Sequence, residues 1–182
     1  FVINRKVNMI YKNLGNQIFE LIDSSDFSNF KSDRGVFIDF DIEGDLDLLL
    51  FDDKTIEVFQ NTSEGTFKKI KKNIGLENSS LGKNLITHAD FNDDGDNDII
   101  IVKYNGKCDY YENMRGGNFQ LIEKNIGLNN LNNPGSIITG DYNNDGNIDL
   151  FISDLDKENH FLYENMGDGT FRLDKNWENL KK

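Results

Sequence analysis

Three short, almost wholly apolar runs stand out from a polar chain: Leu48–Phe51, Ile99–Val102 and Leu150–Ile152. Runs of this length, bounded by turn residues, predict strands buried on both faces. Each is preceded by a shorter apolar strand (Val36-Phe37-Ile38, Leu85-Ile86-Thr87-His88, Ile137-Ile138-Thr139) and followed by a polar turn (Asp52-Asp53-Lys54, Asn105-Gly106-Lys107, Asp154–Asn159). A strand ending in an aromatic residue comes next, then an Asn, a Gly-rich turn and a Phe that opens the returning strand. The Asn/Phe pairs are Asn13/Phe19, Asn61/Phe67, Asn113/Phe119 and Asn165/Phe171. Asn and Gly tolerate the left-handed backbone of a tight hairpin, and the four Phe are expected in the core. A linker carrying Asn73-Ile74-Gly75-Leu76 or Asn125-Ile126-Gly127-Leu128 closes the repeat, and Pro134 is read as a linker residue. At the start of the chain, Val7, Met9 and Tyr11 alternate with polar residues as a strand does.

Four strands recur about every 51 residues, with no helical window of convincing length. A period of 40–50 residues with four strands per repeat predicts an all-β fold of β-propeller-type blades, each a four-stranded antiparallel sheet. The boundaries expected within one repeat domain, 1–182, are a partial repeat at 1–33, then 34–84, 85–135 and 136–182. The partial repeat lacks its first strand and loop. Three complete repeats and one partial fall short of the 4–8 blades of closed propellers. The expectation is therefore an incomplete or assembling propeller: a fragment of a longer one, or a subunit associating through its terminal repeats.

Between the first two strands of each full repeat lies an acidic loop: Asp39-Phe40-Asp41-Ile42-Glu43-Gly44-Asp45-Leu46-Asp47, Asp90-Phe91-Asn92-Asp93-Asp94-Gly95-Asp96-Asn97-Asp98 and Asp141-Tyr142-Asn143-Asn144-Asp145-Gly146-Asn147-Ile148-Asp149. The loops begin 51 residues apart, and acids scattered over a solvated surface do not repeat in register. Oxygen-bearing side chains at positions 1, 3, 5, 7 and 9 repel one another unless a cation sits among them, and oxygen ligands without any soft ligand suit Ca2+ at about 2.3–2.6 Å. The candidate metal residues are thus Asp39, Asp41, Glu43, Asp45 and Asp47; Asp90, Asn92, Asp94, Asp96 and Asp98; and Asp141, Asn143, Asp145, Asn147 and Asp149, for three Ca2+ sites. At position 7 the backbone carbonyl is the expected ligand, and the longer stem of Glu43 is expected to distort the first site. An EF-hand needs a bidentate Glu at position 12 and flanking helices. Here position 12 is Leu50, Ile101 or Ile152, inside the apolar strand.

The D-x-[DN]-x-[DE]-G-x-x-D loops and the Asn-to-Phe turns, which together span nearly the whole chain, resemble the FG-GAP/VCBS repeat family of calcium-loop blades. The resemblance implies extracellular propellers that bind proteins or glycans, sometimes attached to enzymes, and it transfers no catalytic residue.

Lys+Arg 20 against Asp+Glu 32 gives the 182-residue chain a net charge of −12, which three Ca2+ would halve. An acidic chain with no basic run is a poor nucleic-acid ligand. No apolar run is long enough to span a membrane. Cys108 is the sole cysteine and can form no internal disulfide. Asn61 and Asn78 head N-x-[ST] sequons. His88 and His160 fall in different structural roles, and no nucleophile-base arrangement or phosphate loop assembles. The clustered carboxylates do not suit a glycosidase pair, which needs one proton-holding acid in an apolar site. The expectation is a non-catalytic extracellular calcium-binding protein for adhesion, surface display or self-assembly, its partners a protein, a glycan or further copies of itself. The alternative is the propeller portion of a polysaccharide-active enzyme whose chemistry lies elsewhere.

Overall fold

A computed structural model describes residues 7–22, 25–52, 55–62, 66–70, 73–76, 85–103, 105–129, 131–155 and 160–179. It falls into two compact units, Phe1–Leu81 and Gly82–Lys182.

In the first unit, β1 (Ile10–Asn13) and β2 (Phe19–Ile22) form a two-stranded hairpin, followed by a one-turn helix, α1 (Ser25–Ser28). A four-stranded antiparallel blade follows in the order β3 (Arg34–Ile38), β4 (Asp47–Phe51), β5 (Ile56–Thr62), β6 (Thr66–Lys69). The apolar run of β4 is buried at every position, as its sequence requires of a strand packed on both faces. Phe27, Leu48, Leu50, Phe59 and Phe67 share one core with Ile10, and the Phe27 ring meets Phe59 and Phe67 edge-on at 6.3 and 6.0 Å.

The second unit holds two such blades. The first is β7 (Leu85–Ala89), β8 (Asp98–Val102), β9 (Cys108–Asn113) and β10 (Phe119–Ile122); the second is β11 (Pro134–Gly140), β12 (Asp149–Asp154), β13 (His160–Asn165) and β14 (Phe171–Leu173). A short helix, α2 (Lys175–Asn179), ends the described chain, with Trp177 edge-on to Phe151. One core fills the space between these blades: Ile100, Val102 and Tyr110 from the first, Leu150, Ile152, Tyr163 and Phe171 from the second, with Phe91 among them. Backbone bonds also join them, from Phe171 N–H to the Ile126 carbonyl (2.8 Å) and from Gly169 N–H to that of Phe91 (2.9 Å). Gly127 is at φ +85°, and a β-carbon there would stand 1.9 Å from the Phe171 carbonyl oxygen, so no other residue fits.

Three expectations need correction. Phe19 is 61% exposed, unlike Phe67, Phe119 and Phe171, which are 5–6% exposed. Its hairpin turns Ile10 and Ile22 inward and leaves Tyr11, Phe19 and Leu21 on the opposite face, which no further strands of its own cover among the described residues. Pro134 is not in a linker but is the first residue of β11, where an edge strand tolerates the missing N–H. The opening strand is shorter than the alternation suggests: β1 starts at Ile10, and residues 1–6 lie outside those described. The Asn78 sequon and the turn at 156–159 also lie outside them.

Candidate metal centres

Each acidic loop joins the first strand of a blade to the second, and backbone geometry explains its composition. Position 6 is left-handed in all three (Gly44 φ 88°, Gly95 φ 91°, Gly146 φ 93°), and so is position 4 (Ile42 φ 64°, Asp93 φ 61°, Asn144 φ 58°). Asn and Asp accept this conformation with little strain, whereas β-branched Ile42 does not. The turn folds the chain back on the position 1 carboxylate. Gly44, Gly95 and Gly146 N–H donate to Asp39, Asp90 and Asp141 at 3.1, 2.9 and 3.0 Å.

The last acid of each loop is buried and cross-braced. Asp47, Asp98 and Asp149 are at most 1% exposed. One oxygen of each accepts the backbone N–H of position 2, from Phe40, Phe91 or Tyr142 at 3.1–3.3 Å. The other accepts the N–H of the Asn on the third strand, from Asn61, Asn113 or Asn165 at 2.8 Å. That Asn returns the bond, its Nδ2 donating to the carbonyl of position 8 (Leu46, Asn97, Ile148) at 3.1, 3.3 and 3.1 Å. The Asn was expected to serve the hairpin turn. Asn165 does so through Oδ1, which accepts from Gly167 N–H at 3.0 Å, but all three also latch the acidic loop to the third strand. Their spacing of 14, 15 and 16 residues from position 9 was the legible signal. Asn61, which heads a sequon, is half-buried with its amide engaged in the latch.

Side chains from the third strand also reach position 3. Gln60 Nε2 donates to Asp41 Oδ2 at 2.7 Å, and Asn92 Nδ2 donates to Glu112 Oε1 at 3.0 Å. The Tyr110 hydroxyl donates to Asp98 Oδ2 at 2.7 Å. None of these partners was singled out by the sequence pattern.

The electrostatics are those of an anionic pocket. Burial, opposed by the N–H donors and reinforced by Asp41 and Asp45, pushes the Asp47 carboxyl up to about 7. Burial likewise pushes Asp98 up to about 6, despite donors from Asn113, Tyr110 and Phe91, and raises Asp149. Asp96 is raised by burial and by Asp94, and its Oδ2 is buried with no hydrogen-bond donor; Arg115 Nε stands 3.8 Å away. In the first loop, oxygens of Asp39, Asp41 and Asp47 all lie within 4.8 Å of one another, a separation one ion with 2.3–2.6 Å bonds can bridge. The donor set fits a hard divalent cation. The first loop differs in its internal bonds: Asp94 and Asp145 accept the N–H of position 7 at 2.9 and 2.8 Å, and among the described residues Glu43 makes no such bond. Asp39 Oδ1 accepts from position 4 (Ile42, 2.8 Å), where Asp90 and Asp141 accept from position 5 (3.2 Å each).

The two histidines lie apart in role. His88 Nδ1 is 3.4 Å from Asn97 Oδ1, and the His160 ring lies 5.8 Å from that of Phe151. Burial holds the Cys108 thiol up to about 12, a protonated strand residue.

The fold and loops define a chain of all-β, propeller-type blades. Residues 90–152, which include the second and third loops entire, match the family model of the FG-GAP-like repeat. No curated protein sequence matches it. Among solved structures it is similar to a lectin from Agrocybe aegerita described as recognising non-reducing terminal N-acetylglucosamine. That likeness has a TM-score of 0.65 at 23% identity and covers 90% of this chain and 44% of the lectin. It is also similar to the Tc holotoxin pore of Photorhabdus luminescens, with a TM-score of 0.53 at 19% identity, over 78% of this chain and 7% of the toxin chain. At these identities the likenesses concern the fold, and the chain spans less than half of either protein. No helix among the described residues is long and apolar enough to cross a membrane.

Proposed function

We propose that this chain is a non-catalytic, calcium-stabilised module of propeller-type blades, working outside the cell in adhesion, surface display or self-assembly. The observation that carries the reading is the convergence of Asp39, Asp41 and Asp47 oxygens within 4.8 Å, in a loop whose register recurs twice more. One Ca2+ per loop would be held by the oxygens at positions 1, 3, 5 and 9 with the carbonyl at position 7. Loops of this kind with mM-range affinity stay filled outside cells and empty in cytosol, which supports an extracellular location. The ligand is a protein, a glycan or another copy of the chain, and the lectin's fold gives the glycan a place in the test.

An ion that binds the folded chain alone adds about 2.7 kcal/mol per site at 100-fold saturation, or about 5–10 °C in Tm for a chain of this size. Calorimetry in millimolar Ca2+ and in EDTA measures this directly, and equal melting temperatures would sink the reading. A glycan array and a polysaccharide-degradation assay, each with and without Ca2+, separate ligand binding from catalysis.

A further inference from the structure

The residue just before the latch Asn is the chemical complement of loop position 3. In the first blade a carboxylate (Asp41) faces a carboxamide (Gln60) at 2.7 Å; in the second a carboxamide (Asn92) faces a carboxylate (Glu112) at 3.0 Å. Either way the pair holds one carboxylate and one amide, with the roles exchanged. In the third blade the pair would be Asn143 and Glu164, but Glu164 Oε2 instead accepts from Arg172 Nη2 at 2.6 Å. Asn143 Nδ2 is left with Asp145 Oδ2 at 2.9 Å. The positions equivalent to Arg172 are Lys68 and Gln120.

Resting on the calcium reading above, we infer that Gln60 and Glu112 are positioning residues that set the affinity of their loops for Ca2+, and that Arg172 makes the third loop the weaker one by withdrawing Glu164. The physical reason lies in the amide. Asn92 has a donor end and an acceptor end, and only the oxygen can serve a cation. Glu112 and Asp94 both hold the NH2 group, at 3.0 Å each, so the oxygen is turned back into the loop, where it already accepts Asp94 N–H at 3.3 Å. Glu112 would also add a negative charge next to the loop that holds the ion. Outer groups that orient metal ligands commonly change affinity 10–100-fold when removed. In the third loop the Arg172 guanidinium cancels that charge; Asn143 Oδ1 also accepts the Asp145 N–H, at 3.0 Å, but its NH2 group has one hold, Asp145 Oδ2, where that of Asn92 has two.

Each loop has one glycine whose amide bonds to its position 1 carboxylate, so Gly44, Gly95 and Gly146 report the three sites separately in a 15N-resolved Ca2+ titration. For Glu112→Gln, half-saturation at Gly95 should rise about tenfold, while Gly44 and Gly146 stay put. The double variant Asn92→Asp/Glu112→Gln recreates the first blade's pair and should restore it. Arg172→Gln, at an exposed site, should lower half-saturation at Gly146. Unchanged values at Gly95 in Glu112→Gln and at Gly146 in Arg172→Gln would overturn the inference. So would a shift shared by all three glycines, or a failure of the double variant to rescue. Should none of the glycines respond in the unaltered protein, the calcium reading itself fails.

Discussion

Ile42 carries the clearest local strain among the described residues. A β-branched residue at φ 64°, half exposed, occupies the position that the other loops give to Asp93 and Asn144. Left-handed backbone costs an L-residue with a β-carbon about 1–2 kcal/mol, and little burial is lost by replacing this one. Ile42→Asn should therefore raise stability by about 1 kcal/mol, read from urea unfolding. Protonation is the second residue-scale effect. Asp47 and Asp98 have folded-state values raised to about 7 and about 6, so the calcium-free folded chain holds more protons than the unfolded chain between about pH 4 and 7. The stability this gives is complete below about pH 4, the unfolded value, and is lost as pH rises through 6–7. Calcium-free protein should accordingly lose stability from pH 5 to pH 8. Saturating Ca2+ should flatten that slope, because the ion displaces the protons from the same oxygens and leaves folded and unfolded chains nearly equal in bound protons above about pH 5. Unfolding curves at the two pH values, with and without Ca2+, check both the fall and its loss. The register of the three acidic loops was legible from spacing alone. Gln60 and Glu112 were not, because their partnership with position 3 arises only when the third strand pairs with the second.

The strands were largely readable because period and burial agree. The runs at 48–51 and 99–102 are buried throughout, and each feeds straight from an acidic loop. What a linear pattern hides is which residues brace one element to another. The Asn near the end of the third strand looks like a turn residue and is one in Asn165, yet that side chain also donates to the carbonyls of Phe91 (3.0 Å) and Ile148 (3.1 Å). Removing a buried group that leaves partners unsatisfied costs about 1–3 kcal/mol. Asn165→Ala should fall at the upper end, since it frees two acceptors at once. Asn61→Ala should fall lower, its bond to Leu46 being on the exposed side. Denaturant midpoints of the two variants in saturating Ca2+ give the comparison. Phe19 shows the opposite failure: its sequence matches Phe119 and Phe171, but the burial of those residues depends on neighbouring faces that a two-stranded hairpin does not supply.

At the scale of the whole molecule, the 51-residue period made the blades legible but not the division into two compact units, because the same Asn-Ile-Gly-Leu sequence stands at 73–76 and 125–128. Within the second unit the decisive residue is Phe91, position 2 of the middle loop. It is fully buried, and its carbonyl accepts both Gly169 N–H and Asn165 Nδ2 from the following blade. Its ring meets Tyr110 at 6.3 Å in its own blade and Phe171 at 5.6 Å in the next, pairs worth about 0.5–1.5 kcal/mol each beyond their burial. Its N–H is tied to Asp98. The middle loop is thus wired to both blades, whereas Tyr142, its counterpart in the third loop, is 43% exposed and its hydroxyl bonds to Asp174 at 3.1 Å. An ion lost from the middle loop should consequently loosen two blades, and one lost from the third loop only its own. Hydrogen exchange in saturating Ca2+ distinguishes these. Asp94→Ala should speed exchange in β8 and β9 and also at Gly169 and Phe171. Asp145→Ala should speed it in β12 and β13 and leave β8 at the rate of the unaltered protein. Equal, local effects from both substitutions would show that Phe91 does not couple the blades.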